Sequence, residues 1–469
     1  MKHLPLSRIA EWTGGRIGGG GREGRDIFID AVCTDTRTLD ASDGRAALFV
    51  ALKGERFDGH DHVVTAAEQG ARAAMVSRPV ASAMPQVVVA DTERALAALA
   101  ASIQHGRSAR VSAVTGSHGK TTVKQLLLSI VQRVGRAYAN PGNRNNEIGL
   151  PLAVIDAPED AEFAIYEMGA GKSGDIAYLT AIVRPHVALV NNVAPAHLER
   201  MGDLAGVADT KGAIYDALPA DGVAVVNVDD AFAADFERRV RDGHPRRQVV
   251  RFGLGAGADV TARDIVLHEG GADFLLVTPE GEVQVASPLP GRHNVANALA
   301  AASLALACGA GCDDIVAGLG DSRPVAGRLV RHRLANGATL IDDSYNANPA
   351  SLAAAIDLLA AMAGERWLVL GDMRELGPEA EALHADAGRH AKAAGLARLY
   401  AIGPLSACAA GAFGEGGFVF ASHDALAQVL HGDMHTMVCV LVKGSRGSAM
   451  DRIVSALLER DKADAAHVA

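Results

Sequence analysis

Little in this sequence is aromatic. Phe, Tyr and Trp make up 4% of the 469 residues, too few for the stacked platforms that grip single-stranded nucleic acid. Basic charge is also short: 45 Lys and Arg stand against 55 Asp and Glu, a net charge of −10. A nucleic-acid binder carries a basic stripe, and the cluster at 238–247 is short enough to read as a solvated helix end. No nucleic-acid partner is expected. The five cysteines (Cys33, Cys308, Cys312, Cys408 and Cys439) lie apart with no CxxC pair. That pattern argues against a zinc knuckle or disulfide framework and fits reduced thiols in a cytoplasmic protein. Residues 1–5 have no signal-type apolar core. The long uncharged run, 295–312, contains Asn297, Gly309 and Gly311 and begins beside a polar motif. It reads as a buried helix rather than a membrane span.

What is present is globular. Apolar residues are 49% and charged residues 21% of the chain, and this length calls for two to four domains. Abundant Ala and Gly suit closely packed α/β layers. Residues 1–84 hold short strands and a helical segment at 63–70. Residues 85–322 alternate apolar runs (111–115, 163–168, 187–193, 223–228) with helical periodicity. Residues 323–469 repeat the alternation at 339–341, 367–370, 399–402, 418–421 and 438–442. Such alternation predicts parallel sheets covered by helices. The expected architecture is α/β in three domains: a small N-terminal α/β unit, a central parallel sheet with a phosphate loop, and a C-terminal Rossmann-like doubly wound unit. The glycines at 253, 255 and 257 suggest a dinucleotide fingerprint, but Val260 and Thr261 continue as a strand, so this segment reads as a loop.

The most informative stretch is Thr115-Gly116-Ser117-His118-Gly119-Lys120-Thr121-Thr122, between an apolar strand and a helical run. Backbone N–H groups at a helix start cradle phosphate oxygens, and glycines allow close approach. Lys120 can reach the β/γ-phosphates and Thr121 can ligate Mg²⁺. The usual first glycine of such a loop would stand at 114, which is Val114 here, so the loop is a shortened variant.

In doubly wound sheets ligands sit at the carboxyl ends of strands. Glu167 ends one strand, where a lone carboxylate serves either as a cap or as a Mg²⁺ ligand beside the triphosphate. His197 follows the next strand, as an ordinary loop histidine or as a group that ligates or orients a metal. Lys211 opens a helix at 213–218 and by itself reads as solvated. Asn294 and Asn297 share a helix face, free to read a purine edge or to act as a cap and a buried amide. Arg328 begins the third region. Asp342-Asp343-Ser344-Tyr345-Asn346-Ala347-Asn348-Pro349 follows a strand, where Asp can bind ribose hydroxyls or the run can be a turn and helix start. The runs at 371–377 and 443–447 occupy the same ligand-facing edge.

These runs, with residues 141–149 (Pro-Gly-Asn-Arg-Asn-Asn-Glu-Ile-Gly), Asp35-Thr36-Arg37 and residues 48–60, resemble the Mur ligases across nearly the whole chain. The likeness is strongest to the branch that adds D-Ala-D-Ala. It implies an ATP-dependent ligase of the cytosolic peptidoglycan pathway, joining D-Ala-D-Ala to UDP-MurNAc-tripeptide through an acyl phosphate. By the resemblance, Gly116, Ser117, His118, Gly119, Lys120, Thr121 and Thr122 would hold phosphates. Asn294, Asn297, Arg328 and Asp343 would contact ATP. Thr121, Glu167, His197 and Lys211 would serve two Mg²⁺ ions, with Lys211 N-carbamoylated, and Lys120, Glu167, His197 and Lys211 would form the catalytic set. Arg37, Lys53, Asn143, Asn146, Tyr345, Asn346 and Asn348 would face the UDP-sugar peptide and dipeptide. A monomer is expected. The third peptide residue, meso-diaminopimelate or L-lysine, is left open, as are domain closure and the details of the uridine loop. A folylpolyglutamate-synthase-like ligase shares the core but has no need of the 1–84 domain. A nucleotide switch would carry an Asn-Lys-x-Asp run, which is missing.

Overall fold

The computed structural model describes residues 3–18, 26–39, 44–54, 57–195, 198–268 and 270–468. The first unit is a five-stranded sheet. Strands Ala31–Cys33, Ala47–Val50, Ala73–Val76 and Gln86–Val88 run parallel, and Arg16–Gly18 pairs antiparallel to Gln86–Val88. The unit therefore extends past the expected boundary at residue 84, because the backbone bonds of Gln86–Val88 belong to this sheet. Helix Thr92–His105, capped by Asp91, then leads into the central unit.

The central sheet has six parallel strands in the order Gln248–Phe252, Val223–Asn227, Val187–Val190, Arg110–Thr115, Phe163–Glu167, Ala137–Ala139. Its inner strands are apolar almost without interruption because both faces are covered. On one face, Val123, Leu127 and Ile130 of helix Lys120–Val131 pack with Val295, Leu299 and Ala302 of helix Arg292–Cys308. Small side chains line much of the second helix: Ala298, Ala300, Ala301, Ala302 and Ala305 are all fully buried. The other face is closed by helices that include Thr92–His105, Asp175–Val183 and Leu204–Asp216.

The uncharged run at 295–312 is not one helix. It ends at Gly309, whose φ of +94° is a left-handed cap, and Cys312–Gly320 starts another. Among the described residues no helix is long and apolar enough to cross a membrane. Residues 253–257 form a loop, its Leu254 and Gly255 N–H groups bonded to the Asp229 carboxylate at 2.7 and 2.8 Å. Beyond it lies a three-stranded antiparallel sheet, Thr261–His268, Gly271–Thr278 and Gly281–Ser287, of which the sequence signalled only the first residues. It buries Ala272, Phe274 and Leu276 on one face and leaves the alternate residues partly open, so its period-2 pattern differs from the apolar runs that mark the parallel strands.

The third unit is a six-stranded sheet. Val330–Arg333 lies antiparallel to Thr339–Asp343, and the other strands are parallel. The last strand, Val438–Lys443, inserts between Thr339–Asp343 and Glu365–Gly371 and sets Asp343 in register with Lys443.

Candidate active site

The phosphate loop leaves the middle of the central sheet. Gly116 (φ +153°) and Gly119 (φ +77°) turn the chain into helix Lys120–Val131. A Cβ on Gly119 would lie 2.4 Å from Asn297 Oδ1 and 2.5 Å from Asn191 Nδ2, so only glycine fits this approach. The loop is pinned from behind by amides. Asn191 Nδ2 donates to the His118 carbonyl at 3.1 Å and to Asn297 Oδ1 at 3.2 Å, and Asn297 donates to Asn294 Oδ1 at 3.2 Å. Asn192 Oδ1 accepts the His118 backbone N–H at 3.0 Å, which leaves its Nδ2 as donor to the His118 ring Nδ1 at 3.1 Å. The imidazole is thus an acceptor at Nδ1. Burial, reinforced by the Lys120 charge, pulls it down to about 4 and keeps it neutral.

Lys120 Nζ donates to the Gly116 carbonyl at 2.6 Å, and burial lowers its pKa, with Glu167 opposing and Arg328 adding. The buried Thr121 hydroxyl accepts from Arg328 at 2.9 Å, a bond between the central and third units. Arg328 stacks 4.5 Å over the Tyr345 ring, and its buried Nε has no hydrogen-bond partner among the described residues. Lys443 Nζ lies 2.5 Å from Asp343 and also donates to the Asn346 carbonyl at 3.1 Å. Burial raises the Asp343 carboxyl despite the Lys443 charge. These groups face a cleft of about 420 Å³, lined by Ser117, His118, Gly119, Lys120, Thr122, Asn294, Asn297, Arg328, Asp343, Tyr345, Asn346, Asn348 and Lys443. Its size suits a small-molecule site.

Glu167 is 3% exposed. Its Oε1 accepts from Asn145 at 2.9 Å, while Oε2 lies 3.2 Å from Lys124 Nζ without a hydrogen bond. Burial works to raise this carboxyl, but Lys124, Lys120, Arg328 and Asn145 together hold it below its ordinary value. An ionised carboxylate oxygen with no hydrogen bond, on the strand next to the phosphate loop, fits a hard divalent cation.

Lys211 departs from its expected setting. It lies in the third turn of Leu204–Asp216, a helix capped by Asp203 that runs through Gly206 and Gly212, and it is 2% exposed rather than solvated. Burial, with the Lys120 charge adding to it, brings its amine down to about 7. His197 lies outside the described residues.

The residues expected to face substrate divide into two groups. Tyr345, Asn346 and Asn348 line the same cleft as the nucleotide set, and Asn348 Oδ1 caps helix Pro349–Ala360 through Ser351 N–H at 2.8 Å. Arg37 and Lys53 lie in the first unit, and the exposed Arg37 guanidinium grips Asp35. Asn143 is exposed, and Asn146 Oδ1 accepts the Gly149 N–H at 2.8 Å where helix Gly149–Asp156 begins.

Comparison with known proteins agrees with this layout. Three profiles match in order: the Mur ligase family catalytic domain at 31–113, the Mur ligase middle domain at 114–305, and the Mur ligase glutamate ligase domain at 327–446. The chain is 44% identical over 463 residues to the UDP-N-acetylmuramoyl-tripeptide–D-alanyl-D-alanine ligase of Escherichia coli K12, covering 98% of this chain and 99% of that one. It belongs to the Mur ligase family. Among solved Mur ligases, MurF of Acinetobacter baumannii matches with a TM-score of 0.89 at 34% identity, covering 98% of this chain and all of that one. MurF of Thermotoga maritima, solved in complex with ADP, matches with a TM-score of 0.80 at 27% identity, covering 92% of this chain and 98% of that one.

Several groups in the site of this Mur ligase carry no motif of their own in the sequence. Asn191 and Asn192 were part of a strand end, yet they brace the phosphate loop. Asn140 carries no local mark, and complete burial sets it and Lys124 apart. The four-residue spacing from Lys120 to Lys124 was the one available signal, since it places both lysines on one helix face.

Proposed function

We infer that this Mur ligase binds ATP and uses it to join D-Ala-D-Ala to UDP-MurNAc-tripeptide, giving UDP-MurNAc-pentapeptide, ADP and phosphate. The likeness over 98% of the chain to an E. coli enzyme named for this reaction carries the reading. The site chemistry supports it. A carboxylate is a poor acyl donor, so the γ-phosphoryl group first transfers to the terminal carboxylate of the tripeptide. The dipeptide amine then attacks the acyl carbon, loses its proton, and phosphate leaves with the former carboxylate oxygen. Such catalysis is mainly positioning and charge stabilisation. The Gly116–Gly119 backbone and Lys120 would hold the phosphates, and Arg328 would bring a second cation from the third unit. Asp343 and Asn294 suit the nucleoside. Thr121 and Glu167 would hold Mg²⁺, whose charge would offset that of the phosphates. Arg37, Lys53, Asn143 and Asn146 would face the UDP-sugar peptide from the first unit and the adjoining loop, and Tyr345, Asn346 and Asn348 the incoming dipeptide.

Lys211 is proposed to be N-carbamoylated. An amine near pKa 7 is about half free base at neutral pH, where an ordinary lysine is almost wholly protonated, and the free base is the form that adds to CO₂, releasing a proton. The product carries a carboxylate-like charge that suits a second Mg²⁺, which His197 would ligate or orient. We take the enzyme to be monomeric and cytoplasmic, where ATP is at hand. A described and matched first unit gives no reason to prefer a folylpolyglutamate-type reading.

A coupled ADP-release assay with UDP-tripeptides ending in meso-diaminopimelate or L-lysine tests the reading. ADP should appear only when tripeptide and D-Ala-D-Ala are both present, and the preferred tripeptide identifies the open third residue. Brisk ADP release without either substrate would reject the ligase assignment.

A further inference from the structure

Lys124 stands one helical turn beyond Lys120 and is fully buried. Its ammonium donates to the Asn140 carbonyl at 2.8 Å and the Gly142 carbonyl at 3.3 Å, and it pairs as an ion, without a hydrogen bond, with Glu167 Oε2 at 3.2 Å. Asn140 closes the network from the other side. Its Oδ1 accepts the Glu167 N–H at 2.8 Å, and its Nδ2 donates to the Glu167 and Arg144 carbonyls at 3.0 and 2.8 Å. Asn145 holds the remaining Glu167 oxygen at 2.9 Å. The phosphate-loop helix, the strand ending at Glu167 and the 140–146 turn are therefore fastened at one buried charge. A buried ammonium without its partners would be strongly destabilising, so Lys124 holds the three elements together only while these contacts stand.

We propose that Lys124 is a positioning residue of the ligase reaction: it fixes the Glu167 carboxylate for a divalent cation and ties that placement to the 140–146 turn that bears Asn143. This rests on the functional reading above. Lys124 touches neither nucleotide nor peptide in this scheme. Its effect passes through Glu167 on one side and through the turn on the other. Removing its charge should therefore weaken metal binding and tripeptide binding together, and leave metal-free nucleotide binding in place.

The test uses full-length Lys124→Gln, which retains a hydrogen-bond donor and removes the charge, and Asn145→Ala, which frees only the other Glu167 oxygen. Mn²⁺ binding to the protein–ADP complex is measured by electron paramagnetic resonance, ADP binding in EDTA by calorimetry, and KM for each substrate by ADP release. Lys124→Gln should bind Mn²⁺ about tenfold more weakly, the scale of one lost charge-assisted contact, with metal-free ADP affinity within about threefold. KM for the UDP-tripeptide should rise while KM for D-Ala-D-Ala holds. Asn145→Ala should weaken Mn²⁺ binding in the same direction; if Lys124→Gln does not fold, Lys124→Met, which removes the same charge with no polar head to bury, is measured in its place with the same outcomes. A folded Lys124→Gln with Mn²⁺ affinity within twofold of wild type overturns the proposal, as does equal loss of Mn²⁺ and metal-free ADP binding. If the wild-type protein itself binds no Mn²⁺ with ADP, the functional reading fails instead.

Discussion

A lysine amine that is 2% exposed has lost its hydration, and for Lys211 burial and the Lys120 charge shift the pKa from 10.5 to about 7. The unfolded chain binds more protons than the folded one between those values, so this residue's penalty on stability is full at pH 7 and below and fades as pH rises toward 10.5. Lys211→Met should therefore raise the melting temperature in CO₂-free buffer at pH 7, with the gain shrinking by pH 9, as thermal denaturation at both pH values would read. The same variant should lose ligase activity by roughly 10²-fold or more, the scale of losing a preorganised charge. Bicarbonate should stimulate only the wild-type enzyme. A fully active, bicarbonate-insensitive wild type would remove the carbamate. Residue types in the site were legible where chemistry restricts them: Lys120 in its loop, Glu167 and Asp343 at strand ends. Burial was not, because it depends on helices far apart in sequence, and so Lys211 read as solvated and Lys124 passed unnoticed.

The loop and helix that begin at Gly116 owe their position to neighbouring elements. Gly119 fits against Asn191 at one strand end and Asn297 on helix Arg292–Cys308, at a left-handed φ of +77°. Gly119→Ala adds about 1–3 kcal/mol of backbone strain and drives a Cβ into both amides. It should lower the melting temperature and weaken ADP binding by about tenfold or more, measured by calorimetry. Unchanged ADP affinity would mean the loop does not hold phosphate in this form. Parallel strands and the phosphate-loop helix stood out because apolar runs and glycine turns mark them locally. The antiparallel sheet from Thr261 to Ser287 did not, since its alternating pattern buries only one face. Gln86–Val88 joins the first sheet through its pairing with Ala73–Val76, which composition does not signal.

At the scale of the molecule, the cleft exists because two α/β units face each other. The Arg328 bond to Thr121 and the Asp343–Lys443 pair place cationic and acidic groups from the third unit over a loop of the central one. The order of the three units was legible from repeated strand–helix alternation. Which side chains would meet across them was not, since Thr121 and Arg328 are 207 residues apart. The account requires this assembled cleft to activate a carboxylate, not merely to hydrolyse ATP. The most direct measurement supplies UDP-tripeptide labelled with ¹⁸O in its terminal carboxylate, together with ATP and D-Ala-D-Ala, and reads the released phosphate by mass spectrometry. An acyl-phosphate route predicts one ¹⁸O in each phosphate formed; phosphate free of the label alongside normal pentapeptide formation would contradict it.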